Sequence, residues 1–311
     1  MAYYDLIGDV HGCAGTLRIL LHELGYRSRA GTWRHPERRA IFVGDLIDRG
    51  PRQRETVDLV RRMSDEGAAL CIMGNHEWNA IAYATPRADG SGYLREHSAK
   101  YRYHHQAFLD AYRHDEAGRR DALAWFRRLP LWLDLGVLRV VHATWDATAM
   151  QRLQRVYGAP AFGEGLLHDA FVPGSWQSQA IDCLLQGEQV SLNEGVSVAD
   201  RFGIQRQSVR IRWWGSRAAS LREAHLGPRA SRRLVPDIAL ATAHWVGYGE
   251  DQPPVFFGHY WLDGQPTALA PNVACLDYSV AAPDGVLAAY RWSGEAVLDD
   301  RHFVVVPRQE D

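Results

Sequence analysis

Apolar runs of β type recur along the chain, and each stops at a polar, glycine-marked or histidine-bearing junction. They are Tyr3 to Ile7, Ala40 to Val43, Ala69 to Met73, Val137 to Val141 and Val255 to Phe257. Between the first three lie stretches with helical spacing. Leu17, Leu20, Leu21 and Leu24 share one face before Gly25, and Val57, Val60 and Met63 share another before Gly67. Short buried runs alternating with amphipathic helices predict strand–loop–helix units and a layered α/β sheet. Residues 26–39 read as a polar loop and 84–92 as another. Tyr101, His105, Phe108 and Tyr112 fall on one helical face, read as packing, and a second helix runs through Trp125 and Phe126 and ends before Pro130. His97, His104 and His114 read as surface or helix-packing residues. After Val141 the signals weaken; residues 176–187 look helical, with turns at Pro173-Gly174 and Asn193-Glu194-Gly195. β-type runs around 273–278, 286–291 and 303–306 predict an antiparallel finish to a sheet.

No linker rich in Gly, Ser or Pro and no internal repeat divides the chain. One domain over residues 1–311 is therefore expected, with a helical insertion at about 84–130 and a substrate-side segment at about 143–254. Hydrophobic content of 46% and charged content of 23% are those of a globular protein, and a net charge of −2 argues against general nucleic-acid or membrane-surface binding. Lys100 is the only lysine, so an Arg near a site carries little weight by itself. The nine Arg within 201–233, against the single acid Glu223, read equally as an anion-facing wall or a solvated face. Cys13, Cys71, Cys183 and Cys275 have no paired spacing, and no signal peptide or membrane span is evident. A cytoplasmic location is expected.

The strand ends carry the chemistry. The first delivers Asp9 and His11 in Gly8-Asp9-Val10-His11-Gly12, and the second delivers Asp45, Asp48 and Arg49 in Gly44-Asp45-Leu46-Ile47-Asp48-Arg49-Gly50. The third delivers Asn75 and His76 in Gly74-Asn75-His76-Glu77, and His142 and His259 follow the fourth and fifth. In an open α/β sheet the carboxyl ends of strands are where ligands bind. Asp9 and His11 stand two apart, which in extended chain points both side chains one way. Oxygen and imidazole donors without thiolate suit Mn, Fe or Zn. Six of them, Asp9, His11, Asp45, Asn75, His142 and His259, exceed one tetrahedral site and suit two ions sharing a carboxylate.

The three motifs, in this order and at these intervals, resemble the signature of the calcineurin-like metallophosphoesterases and the phosphoprotein phosphatases among them. The resemblance implies a four-layer α-β-β-α sandwich with two mixed sheets and a dinuclear metal site at the strand ends. By position it implies Asp9, His11 and His259 on one metal, Asn75 and His142 on the other, and Asp45 bridging. Asn75 would also touch the phosphate, Arg49 would bind it, and His76, oriented by Asp48, would protonate the leaving group. The cofactors implied are two divalent ions, Mn first, with Fe or Zn as alternatives. The reaction implied is direct attack of a metal-bridging hydroxide on phosphorus, without a covalent enzyme intermediate.

Departures from the family pattern fall on the substrate side. His142 is followed by Ala143-Thr144-Trp145 where the family has glycines, which makes Trp145 a candidate roof for the pocket. His259 continues into Tyr260-Trp261, and a second phosphate-binding Arg is expected in the middle segment, with Arg210 and Arg212 as candidates. The leading expectation is a phosphatase acting on Ser/Thr phosphoprotein or small phosphate esters. The alternative is a hydrolase of dinucleoside polyphosphates of the diadenosine tetraphosphate type. An acid at Asp48 and Glu rather than Asp at Glu77 weigh against that alternative. A catalytically silent scaffold is disfavoured, because no ligand position is empty.

Overall fold

A computed structural model describes residues 3–309 except 159, 161–162, 193–195, 200–204, 228 and 241–244. The turn expected at Asn193-Glu194-Gly195 and part of the Arg-rich stretch 201–233 lie outside the described residues.

The first half of the chain alternates strand and helix. β1 (Tyr3–Ile7) leads to α1 (Ala14–Glu23), β2 (Arg38–Phe42) to α2 (Gln53–Asp65), and β3 (Ala69–Cys71) to α3 (Asn75–Ala84). Two further helices, α4 (Ala99–Ala111) and α5 (Glu116–Phe126), precede β4 (Trp132–Asp134) and β5 (Arg139–Val141). Then come α6 (Ala147–Tyr157), α7 (Glu164–Asp169) and α8 (Trp176–Gln186), followed by small hairpins and a short helix. The chain closes with β6 (Val255–Phe257), β7 (Val273–Cys275), β8 (Asp277–Tyr278), β9 (Val286–Trp292) and β10 (Phe303–Pro307). No helix among the described residues is long and apolar enough to cross a membrane.

Two mixed sheets result. The larger has six strands in the order β8-β9-β1-β2-β3, with β10 also paired to β9; β1, β2 and β3 run parallel, and β9 is antiparallel to β1 and β10. The smaller has four strands in the order β7-β6-β5-β4, parallel except for β4. Strand alternation divides the side chains between two cores. Leu6, Ile41, Val43 and Ile72 of the larger sheet share one buried cluster with Val140, Phe256 and Ala274 of the smaller. Ile7, Ala40 and Phe42, on the other face, join Leu17, Leu20, Leu21, Val57, Val60 and Met63 of α1 and α2. The expected helical faces are therefore the observed ones.

Local corrections are few. The expected loop at 26–39 contains a hairpin, Arg27–Arg29 with Thr32–Arg34, and β2 already begins at Arg38. The run at 273–278 is not one antiparallel strand. Val273–Cys275 pairs parallel with β6, and Asp277–Tyr278 crosses to the other sheet and pairs antiparallel with β9. Leu276, buried in the cluster the two sheets share, marks the crossing. β1, β2, β3, β5 and β6 each point their carboxyl ends at one region, and the five motif-bearing loops meet there.

Candidate metal centre

The loops after these strands are strained into shape. Six of the eight non-glycine residues with positive φ among the described residues belong to them: His11, Asp45, Asp48, Arg49, His259 and Trp261. For side chains larger than Gly this conformation costs energy, and it persists where surrounding contacts enforce it. Buried Glu77 supplies one enforcer. Its carboxylate accepts from the backbone N–H groups of Asp45 (2.9 Å), Leu46 (2.8 Å) and Gly74 (3.0 Å), so the start of α3 is stapled to the Asp45 loop. Gly74 and Gly258 explain the glycine punctuation at two strand ends. A Cβ on Gly258 would lie 1.9 Å from Asp9 Oδ1, and one on Gly74 would lie 2.3 Å from Asp45 Oδ1. Each glycine clears the space that a carboxylate from another strand end occupies.

The predicted residues converge around Asp45. Its carboxylate oxygens lie 3.7 Å from His11 Nε2, 3.9 Å from His76 Nε2 and 3.4 Å from His142 Nε2. Two groupings with metal-holding potential share it: His11, Asp45 and His76, and Asp45, His142 and His259. Asn75 Oδ1 lies 2.9 Å from His142 Nε2 and 2.8 Å from His259 Nδ1. Asp9 Oδ2 accepts the backbone N–H of His259 at 3.0 Å.

The hydrogen bonds select the ring nitrogens offered inward. His11 Nδ1 faces the Ile47 carbonyl at 2.9 Å, and His142 Nδ1 faces the Val43 carbonyl at 2.8 Å. A carbonyl can only accept, so both Nδ1 atoms carry hydrogen and each Nε2 turns toward Asp45. Asp9 Oδ1, His11 Nε2 and His259 Nε2 are buried without a hydrogen-bond partner. Orphaned atoms of this kind are costly in a folded protein. Acceptors crowding one space, with unused donor capacity on carboxylate and imidazole, fit divalent cations, and Asp45 stands where two could share it.

Electrostatics agree with that donor set. Burial, reinforced by Arg49 and His76, pushes His11 down to about 3, and burial, with Arg210 and His142, pushes His259 well below the ordinary value. Both are therefore neutral at pH 7, the form that ligates metal. His76 behaves oppositely: burial disfavours its charge, but Asp45 and Asp48 outweigh burial and raise it. Asp48 Oδ2 accepts from His76 Nδ1 at 2.6 Å.

A sequence model of the calcineurin-like phosphoesterases matches residues 4–181, more than half of the chain. The chain belongs to that family. Calcineurin-like phosphoesterases use a dinuclear divalent-metal centre, and the clustered donors described above are candidates for it. Over 74 residues the chain is 46% identical to a bis(5'-nucleosyl)-tetraphosphatase PrpE [asymmetrical] of Halalkalibacterium halodurans, covering 24% of this chain and 30% of that one. Over 162 residues it is 36% identical to a symmetrical bis(5'-nucleosyl)-tetraphosphatase of Vibrio cholerae, covering 50% of this chain and 51% of that one. The chain thus spans between about a third and about half of the length of these curated relatives. Among solved structures, a cold-active protein-tyrosine phosphatase of a Shewanella species aligns over 93% of this chain and 75% of its own, with 16% identity and a TM-score of 0.49. A protein serine/threonine phosphatase from Saccharomyces cerevisiae aligns over 98% and 79%, with 14% identity and a TM-score of 0.45.

The phosphoesterase motifs left the surroundings of the centre open, and the structure fills several in. Solvent-accessible Arg49 stacks its guanidinium 3.7 Å from the centre of the Trp261 ring, which in turn lies 6.1 Å from the His11 ring. Arg210 donates to the His259 carbonyl at 3.2 Å, whereas Arg212 is engaged by the Trp214 carbonyl and Glu223. Trp145 is not a roof. It lies against Arg139, at the opposite end of β5 from His142, and lines a cavity of about 260 Å³ with Tyr248 and Gln252. Sequence reasoning missed His105. Its helical spacing predicts packing, and it does pack, but its Nδ1 also reaches Asp48 Oδ1 at 3.0 Å. Exposed His104 lines a small cavity beside His76 and Asp48.

Proposed function

We propose that this chain hydrolyses phosphomonoesters, of phosphorylated protein or of small molecules, at a two-metal centre. Asp9, His11, Asp45, Asn75, His142 and His259 would hold the ions, with manganese the first expectation. When bound, the ions lower the pKa of water and neutralise charge on the phosphoryl oxygens. Arg49 offers a planar fork to the phosphate, pre-set by its stack on Trp261. His76 protonates the leaving oxygen. Asp48 fixes its tautomer by accepting from Nδ1, which leaves Nε2 on the side of Asp45 and the centre. That 2.6 Å bond is the observation that carries the reading, because an alkoxide leaving group requires a proton and an anhydride's phosphate does not. None of the four cysteines forms a disulfide, which supports a reducing, cytoplasmic setting.

A second reading, hydrolysis of dinucleoside polyphosphates, is supported by the names of the relatives above. His104, depressed by burial, also feels Arg49, His76, Arg206 and Lys100, so the rim near His76 is positive and suits a polyanionic leaving group. The test is kcat/KM for a phosphoserine peptide and for diadenosine tetraphosphate on one preparation with saturating Mn. The peptide is expected to be turned over and the dinucleotide not to be preferred. A preference for the dinucleotide of about two orders of magnitude, roughly 3 kcal/mol in transition-state binding, replaces the first reading with the second.

A further inference from the structure

We propose that His105 is a positioning residue for the leaving-group acid: from α4 it holds the Asp48 carboxylate in the orientation that orients His76. The inference rests on the role proposed for His76.

The geometry is specific. Asp48 is buried, at 2% exposure, and its two oxygens are divided between two imidazoles, Oδ2 to His76 Nδ1 at 2.6 Å and Oδ1 to His105 Nδ1 at 3.0 Å. An ionised carboxylate only accepts, so both rings present N–H. A carboxylate turns readily about its last torsion, where the energy wells are broad. One hydrogen bond leaves that rotation loosely defined; a second, to the other oxygen, fixes the plane. The backbone is already pinned, since Asp48 sits at φ +69° and its N–H donates to Gln53 Oε1 at 2.6 Å. His105 is itself held, 7% exposed, with its ring stacked on Phe108 (4.9 Å between centroids) and tilted against Tyr83 (5.3 Å).

Packing alone does not account for this residue. A phenyl ring would satisfy the contacts with Phe108 and Tyr83, yet the position carries an imidazole whose nitrogen spans 57 residues to the acid's partner. Burial opposes charge on Asp48, and His105 together with His76 overcomes it and holds the carboxyl well below the usual carboxylate range. α4 lies in the segment between the motifs and β4, and this bond joins its docking to the acid's partner.

Two His105 variants and one His76 variant test the proposal. His105→Phe keeps a ring and removes the donor, while His105→Asn keeps an N–H at the distance from the backbone that Nδ1 has. His105→Phe is expected to lower kcat on an alkyl phosphate about tenfold, below the ~10²-fold at the low end of what an acid itself contributes. Loss on an aryl phosphate with an acidic leaving group should stay within about twofold, with KM and metal content unchanged. His105→Asn should recover most of the alkyl activity. Equal losses on both substrates, or no difference between the Phe and Asn variants, overturn the proposal. His76→Asn separates the two levels. If it too is indifferent to the leaving group, the acid assignment has failed; if it discriminates and His105→Phe does not, only the positioning role has failed. A readout independent of turnover is the ring ¹⁵N spectrum of metal-free wild type and Asp48→Asn. The His105 Nδ1 signal should shift on that substitution, and an unmoved signal counts against the bond and the proposal.

Discussion

Two buried aspartates three residues apart in one loop, Asp45 and Asp48, meet opposite fates. Around Asp45 the neighbouring donors are unfinished: His11 Nε2, Asp9 Oδ1 and His259 Nε2 have no hydrogen-bond partner. Asp48 is finished, each oxygen accepting from an imidazole. The first arrangement fits cations between its members, and the second is satisfied by the protein's own groups. On the proposed reading, metal holding and proton delivery are built as separate units, joined where His76 donates its backbone N–H to Asp45 at 3.0 Å and its ring to Asp48.

Breaking the unfinished side should have the largest effect. Asp45→Asn removes the ligand common to both groupings. It should lower metal content at both positions and reduce kcat/KM about 10³-fold or more, the several kcal/mol that metal ions contribute. Asp9→Asn should lose less metal. Elemental analysis alongside kinetics decides, and an Asp45→Asn protein holding both ions at full turnover contradicts a shared ligand.

Breaking the finished side should spare the metals. His76→Asn is expected to keep its ions and lose about 10²-fold to 10⁴-fold on alkyl phosphates, with far smaller losses on an aryl phosphate. Asp48→Ala removes only the orienting acceptor, so the expected loss on monoesters is about tenfold to a hundredfold. Metal content measured on the same samples sharpens the contrast: if Asp48→Ala empties the centre, the two units are not separate.

The smallest effect concerns the rim. Arg210→Ala should raise KM about tenfold, roughly the 1.4 kcal/mol of one charge-assisted hydrogen bond, with kcat little changed. Arg212→Ala, whose guanidinium is occupied by Trp214 and Glu223, should stay within about twofold. Matching KM values for the two variants would remove Arg210 from the phosphate site.

Much of the unfinished side was legible in the sequence, and the reason is chemical. Asp9, His11, Asp45, Asn75, His142 and His259 each follow a strand, where a metal tolerates few residue types and the backbone needs glycine to let a carboxylate pass, as Gly74 and Gly258 do. His105 was not legible, because its spacing with Phe108 and Tyr112 is that of a packing face and the face does pack; one ring serves both purposes. Glu77 carried no signal of its work as a staple, since its partners are backbone N–H groups that any sequence supplies. β4 has three residues, too few to show a period, and α6 buries only Met150 and Leu153. The sheet change between Cys275 and Asp277 is a tertiary choice that alternation along one strand does not encode.

If His76 delivers the proton to the leaving oxygen, the dependence of rate on the leaving group reveals it most directly. Log kcat/KM is measured against leaving-group pKa for a series of phosphomonoesters, on wild type and on His76→Asn of matched metal content. A shallow slope is expected for wild type and a steep one for the variant, the two lines approaching each other at the most acidic leaving groups. Parallel lines, displaced by the same factor throughout, would contradict it.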